Sequence, residues 1–385
     1  MRGDFKGKHV LIIEGYARQC LPFLRAFKQL GCETSLLCGS KLDLGYWSRF
    51  ADHKILGVCD PEKYDESEKY ICGLIKNGNF DIVVPLVDFS ARILSENKTE
   101  LQKYSRIASN DKDVFNASLD KLSVMRLCME NGIPCPATIA DMDNAEDVKK
   151  LHFPIVAKPR TGCGAKGFRR FESYDDFKAF AEGHADLKDF VIQEYVRQTD
   201  SNLSVSLFID NSGEVKAEYV YASRRWFPLA GGTGTLNELV SRPDAVEICK
   251  RLAQTLKLRG WAGFDLIDDP EDKIPKVIEV NPRILACAKI GFAAGINQAE
   301  MILEKEFLGK TERRKTAEKR LYVRMTQTDV LWFLKSPDRF RAKPSWFTLR
   351  DTYDQTFYWK DPLPWLAFLL RGLFKLKKEL KARGA

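Results

Sequence analysis

KVIEVNPR, residues 276–283, sets an acid and an amide two residues apart on a short apolar stretch that reads as a β-strand. Side chains alternate along a strand, so Glu279 and Asn281 fall on one face, roughly 6–7 Å apart along the backbone. Upstream, WAGFDLI at 261–267 reads as a second strand, joined to the first by the turn-rich DDPEDKIP. Antiparallel pairing of the two would bring Asp265 beside that face. Two carboxylates, an amide oxygen and the Arg283 guanidinium would then converge, a donor set that suits Mg²⁺ and the phosphates it bridges. A buried strand with a stray acid would present the same letters, so the metal reading needs support from elsewhere in the chain.

That support lies more than a hundred positions earlier, in FPIVAKPRTGCGAKGFRRF at 153–171. A short apolar strand carries Lys158, and a glycine-rich loop follows with Lys166 near its end. Gly162, Gly164 and Gly167 permit a tight turn that brings backbone N–H groups close to phosphate oxygens, while the lysines supply charge. The loop fits neither GxxxxGK[ST] nor GxGxxG. A hairpin turn with an exposed lysine is the plainer alternative, and Cys163 within it reads as a small filler.

Taken together, these stretches resemble the ATP-grasp enzymes, especially the carboxylate-amine ligases and the carbamoyl-phosphate synthetase type. The resemblance runs in order from about residue 119 to 296: LDKLSVMRLCMENGIPCPAT at 119–138, the Lys158 strand with its loop, FVIQEYV at 190–196, GFDLI, and VIEVNPR followed by small residues. It implies an α/β chain with an α+β ATP-grasp core. A Rossmann-like parallel-sheet domain would occupy 1–112 and a two-lobed ATP-grasp domain 113–310. Within the latter, a small nucleotide lobe would cover about 120–195 and a metal-binding lobe about 196–310, and 311–385 would form a helical and aromatic C-terminal extension.

The same resemblance implies residue roles. Lys121 and Lys158 would hold nucleotide phosphates, with Gly164 and Lys166 in the covering loop. Gln193, Glu194, Tyr195 and Val196 would meet adenine, through backbone groups at the purine edge and a side chain packed on the ring. The family places an acid for the ribose a few residues later. Here RQTDSNLSV offers either Asp200 or Asn202, and the choice stays open. Asp265, Glu279 and Asn281 would hold Mg²⁺, or Mn²⁺ in its stead, and Arg283 would stabilise the transferring phosphoryl group. In SRRWFPLAGGTGTLNELV, Arg224 or Arg225 could hold a carboxylate in two-point contact. Neighbours on a strand point to opposite sides, and Arg224 is the preferred catalytic candidate.

Composition bounds the alternatives. At 385 residues, with 44% hydrophobic and 30% charged residues, the chain has room for two or three units that each bury a core. The first hundred residues alternate strand (8–13, 34–38, 81–87) and helix (18–30, 61–77), the pattern of βαβ units. The turn EGYARQC after the first strand lacks the glycines of a dinucleotide site. By resemblance, this unit helps shape the acceptor site. A helix at 118–130, ended by Asn131 and Gly132, precedes the glycine loop. Ten cysteines show no CxxC pair, and no secretory leader opens the chain, so a reducing cytoplasm is expected. Neither His152 nor His184 stands in a metal-ligand spacing, which argues against zinc.

The net charge of +8 is concentrated at the end, where Arg371, Lys375, Lys377, Lys378, Lys381 and Arg383 face the single acid Glu379. The apolar run before it is too short to cross a bilayer. It predicts either an interfacial helix on anionic lipid at the inner face of a membrane or a helix packed on the body. No nucleic-acid motif accompanies the basic cluster. The expected activity joins a small-molecule carboxylate to an amine at the expense of ATP. A kinase, a thioester-forming synthetase or a non-catalytic nucleotide-binding protein would share the nucleotide residues.

Overall fold

The computed structural model describes residues 5–140, 145–162, 167–183, 186–197, 202–229, 232–317 and 319–382, with side chains through residue 372. Its first unit is a five-stranded parallel sheet built from β1 (His9–Ile13), β2 (Glu33–Cys38), β3 (His53–Leu56), β4 (Ile82–Val84) and β5 (Arg106–Ile107), in the order β3-β2-β1-β4-β5. The apolar run of β1 is explained by cover on both faces. Val10 and Ile12 join the core that includes the helix Cys20–Gln29, and Leu11 and Ile13 pack toward Ile71, Ile75 and Leu94 on the other side. The strand expected at 81–87 stops at Val84, before Pro85. The helix Asp88–Glu96 then starts, an element the sequence reading did not anticipate.

The helix expected at 118–130 is two helices, Lys112–Leu119 and Lys121–Glu130. Asp120 separates them with extended backbone, and its carboxylate accepts from Leu122 N at 3.0 Å, an N-cap that restarts the chain. Lys121 thereby becomes the first residue of the second helix, which gives way at Gly132 with φ +59°. A three-stranded sheet, β6 (Ile155–Pro159), β7 (Arg169–Phe171) and β8 (Phe190–Glu194), follows in the order β7-β6-β8.

The largest sheet has seven strands: β9 (Asn202–Ile209), β10 (Val215–Phe227), β11 (Thr233–Val240), β12 (Gly260–Asp268), β13 (Pro275–Asn281), β14 (Tyr322–Arg324) and β15 (Thr352–Asp354). Their order is β13-β12-β9-β10-β11-β14-β15. β14 and β15 come from the segment expected to form a C-terminal extension, so that segment completes the large sheet. One face of this sheet, with Phe208, Tyr219, Tyr221 and Trp261, shares a core with the helix Cys20–Gln29 of the parallel unit, and Tyr219 and Trp261 meet Gln298 between them. The other face carries Val205, Phe264 and Val280 beneath the helices Lys121–Glu130 and Pro243–Thr255. The last helix, Leu363–Ala382, returns to the first unit: Phe368 packs on its core and Arg371 donates to Asp43 Oδ1 at 2.7 Å. No helix among the described residues is long and apolar enough to cross a membrane.

Candidate active site

β12 and β13 pair antiparallel, with Asp265 opposite Glu279 and Gly263 opposite Asn281. The two carboxylates and the amide therefore share one face. The register shifts after Asp265, leaving Ile278 unopposed, and its carbonyl accepts from Lys158 Nζ at 3.1 Å. Asp265 accepts from Ser204 Oγ at 2.6 Å and from Asn281 Nδ2 at 3.0 Å, while Asn281 Oδ1 accepts from Arg283 Nη2 at 3.0 Å. Burial pushes both carboxyl groups above the usual carboxylate range. At Glu279 the charge of Asp265 adds to the rise and Lys121 opposes it. Two desolvated carboxylates and an amide oxygen are a hard-donor set that a divalent cation would relieve, so the residues present fit Mg²⁺.

Two ammonium groups from different elements meet this cluster. Lys121 Nζ lies 3.3 Å from Glu279 Oε1 and donates to Gly162 O at 2.8 Å. Lys158, on β6, is brought down to about 8 by burial and by the neighbouring Lys121 charge, against the pull of Glu279. Such crowding of like charges suits a polyanion.

β8 lies beside the cluster. Gln193 turns its side chain inward, donating from Nε2 to Thr138 Oγ1 at 3.2 Å. Glu194 N–H is taken by Ala137 O, Tyr195 N–H by Pro154 O, and the Glu194 carboxylate accepts from His152 N at 2.8 Å. The Arg170 guanidinium stacks 4.2 Å over the Tyr195 ring. Among the described residues, Val196 N–H has no backbone partner. Asn202 begins β9, two residues before Ser204 on the same face, and its buried Oδ1 has no hydrogen-bond partner among the described residues. Gly164, Lys166 and Asp200, with Cys163, lie outside the described residues.

Arg283 is gripped from the parallel-sheet unit. Its Nε and Nη2 donate to Asp88 Oδ1 and Oδ2 at 2.8 and 2.7 Å, a two-point pair. Asp88 is the first residue of the helix Asp88–Glu96, and the preceding turn is held by Glu14, whose carboxylate accepts from the backbone of Leu86, Val87 and Ser90.

Residues 118–287 match the model of the ATP-grasp domain family. The chain carries an ATP-grasp domain. Over 274 residues it is 24% identical to D-aspartate ligase of Enterococcus faecium, a match covering 65% of this chain and 62% of that relative. The chain thus spans about three fifths of the relative's length. Among solved structures it resembles N5-carboxyaminoimidazole synthetase from Staphylococcus aureus complexed with ADP, with TM-score 0.65, 16% identity and 83% of each chain covered. It also resembles the biotin carboxylase domain of Hydrogenobacter thermophilus 2-oxoglutarate carboxylase, determined with MgADP, ADP and bicarbonate. There the TM-score is 0.66, the identity 16% and the coverage 82% of this chain and 73% of that one. At such identities the likeness establishes the fold.

Arg224 does not join the ATP-grasp cluster. Its Nε pairs with Glu238 Oε2 at 2.7 Å, in a groove of about 1370 Å³ that also takes in Arg197, Trp226 and Arg320 and none of the metal-site residues. Arg225, its neighbour, is buried against Asp329 in a two-point pair at 2.9 Å and lies over Trp332. Reasoning from sequence missed Asp88, Glu14 and Ser204, which act on the ATP-grasp residues from distant positions. The one available signal was an aspartate directly after the strand Ile82–Val84 and its proline, where a helix N-terminus favours an acid. Another group of potential ligands, His9, Glu33 and His53, stands at the amino ends of β1, β2 and β3, at the opposite end of that sheet.

Proposed function

We propose that the protein is an ATP- and Mg²⁺-dependent ligase that activates a carboxylate as an acyl phosphate and joins it to an amine. The observation that carries this reading is the convergence of Lys121 and Lys158, from two separate elements, on the Asp265–Glu279–Asn281–Arg283 cluster. In this proposal Lys121 and Lys158 bind the nucleotide phosphates, Val196 N–H and the Asn202 amide oxygen take purine and ribose, and Asp265, Glu279 and Asn281 hold the metal. Bound there, Mg²⁺ supplies positive charge that neutralises phosphate oxygens.

A carboxylate oxygen attacks the γ-phosphorus, the bond to the β-phosphate oxygen breaks, and ADP leaves. Arg283, fixed by Asp88, offers its charge to the transferring phosphoryl group, and catalysis is positioning plus neutralisation. An amine nitrogen then attacks the acyl carbon, the carbon–oxygen bond breaks, and phosphate departs. The amine gives up a proton to yield the amide. Similarity to D-aspartate ligase favours an amino-acid substrate.

The test is phosphate release from MgATP across a matrix of amino acids and small carboxylates, each with and without a second amine. Release that requires one acid and one amine is expected. Release with the acid alone would replace the ligase by a kinase or a thioester-forming enzyme. A finer reading concerns the last helix. Its exposed Leu363, Leu366 and Leu370, with Trp359, lie beside the basic end of the sequence, an arrangement suited to anionic lipid. Co-sedimentation with phosphatidylglycerol vesicles that W359S or L366S abolishes is the expected outcome, and equal recovery with neutral vesicles would contradict it.

A further inference from the structure

The parallel sheet reverses its winding direction between β1 and β4, and ligands of such sheets bind in the crevice beyond the carboxyl ends at that switch point. The loop after β4 delivers Asp88 to Arg283. The loop after β1 delivers Arg18, whose guanidinium has no acceptor, counter-ion or stacked ring among the described residues. Arg18 is only partly exposed and sits just before the helix Cys20–Gln29, which has no acid in its first turn. A half-buried cation without a counter-ion, at the positive end of a helix dipole, is electrostatically unfavourable. Burial accordingly holds its guanidinium below the ordinary arginine value, against an opposing electrostatic pull from Cys287 and Tyr221.

Gln19, the next residue, donates from Nε2 to Leu86 O at 2.9 Å, which ties the loop carrying Arg18 to the loop carrying Asp88. Tyr221 is paired with Ser204, and Ser204 with Asp265, so Tyr221 stands two strands from the metal-site residue on the same face, roughly 10 Å across the ladder. Cys287 follows Arg283 in the same loop and accepts from Asn237 Nδ2, whose Oδ1 accepts from Ser223 Oγ. A row of polar side chains therefore runs from the metal site across this face of the sheet.

We propose that Arg18 is the anchor for an oxyanion, a carboxylate or a phosphate, on the substrate that enters this crevice. The inference rests on the ligase reading for its name and on the geometry for its existence. An arginine kept unpaired costs stability and repays it only when an anion arrives, which predicts that Arg18→Met folds at least as well as the parent.

The experiment is calorimetric titration of succinate, citrate and inorganic phosphate into the full chain saturated with MgADP, for the parent, Arg18→Met and Arg18→Lys. Saturable binding to the parent, weakened at least tenfold in Arg18→Met and partly restored in Arg18→Lys, with nucleotide affinity unchanged, is expected. Loss confined to phosphate, or confined to the carboxylates, would identify which oxyanion the substrate carries. Absence of binding in the parent, equal binding in parent and Arg18→Met, or a melting temperature several degrees lower in both variants would overturn the proposal. The readout needs no turnover. Arg18-dependent binding in a chain that releases no phosphate sinks the ligase reading and keeps this site, whereas ligase turnover with Arg18-independent binding does the reverse.

Discussion

Lys158 shows how one side chain reports on the whole site. Its proton leaves near pH 8 in the folded protein and at about 10.5 in the unfolded chain. Across that window the unfolded state holds the extra proton, so the stability of the free protein rises with pH between about 8 and 10.5. Nucleotide phosphates favour the charged lysine, so ATP affinity is expected to fall above pH 8 and binding at pH 8.5 to take up a proton. Calorimetry in buffers of different ionisation enthalpy measures that uptake, and buffer-independent heats would contradict it. Glu279→Gln keeps the shape of the side chain but removes half the carboxylate charge of the proposed metal site. We expect kcat to fall by about 100-fold or more with an unchanged melting temperature, and an unaltered rate would remove Glu279 from the metal. By contrast, Arg225→Ala removes the two-point partner of the fully buried Asp329 and leaves it Arg324 at 3.3 Å and the Thr235 hydroxyl, and denaturant unfolding should show a loss of about 3 kcal/mol.

At the scale of elements, two helices and a hairpin position the chemistry. The β12–β13 hairpin was legible because its chemistry and its register are encoded within twenty residues: alternation places Glu279 beside Asn281, and the turn DDPEDKIP brings Asp265 opposite. Lys121 and Lys158 were picked out by the family resemblance, since a lysine at the start of a helix or on a short strand is by itself an ordinary residue. Asp88 and Arg18 were not, because the partner of Asp88 stands 195 positions away, Arg18 has no partner among the described residues, and an arginine or aspartate at the start of a helix has many ordinary uses. The break at Asp120 was also hidden, since only the backbone shows that its carboxylate caps a new helix instead of lying inside one. Asp88→Ala should lower kcat by up to about 100-fold through a displaced Arg283 while leaving ATP affinity intact. Parallel loss of kcat and ATP binding would mean that the helix Asp88–Glu96 supports the fold and does not aim the arginine.

Across the whole molecule, the end of the chain braces its beginning. Asp361, nearly fully buried, accepts from Ser48 Oγ at 2.6 Å and from Arg49 N at 3.0 Å. The buried Arg25 nearby, stacked on Tyr358, has two guanidinium nitrogens without an acceptor. Asp361→Ala leaves Ser48 Oγ and Arg49 N without their acceptor, and a loss of about 2–3 kcal/mol in denaturant unfolding is expected; an unchanged midpoint would show that the last segment merely rests on the surface. The sequence foretold a basic apolar helix here, and its packing on the parallel-sheet unit through Phe368 and Arg371 is set by tertiary contacts that no local pattern announces. The central claim is that the acid is activated by phosphorylation. Once the acid and amine are found, the most direct measurement uses the acid labelled with ¹⁸O in its carboxylate. One labelled oxygen recovered in the released phosphate is predicted, because the acyl carbon–oxygen bond breaks on amide formation. Phosphate free of label, with amide formed, would contradict the acyl phosphate.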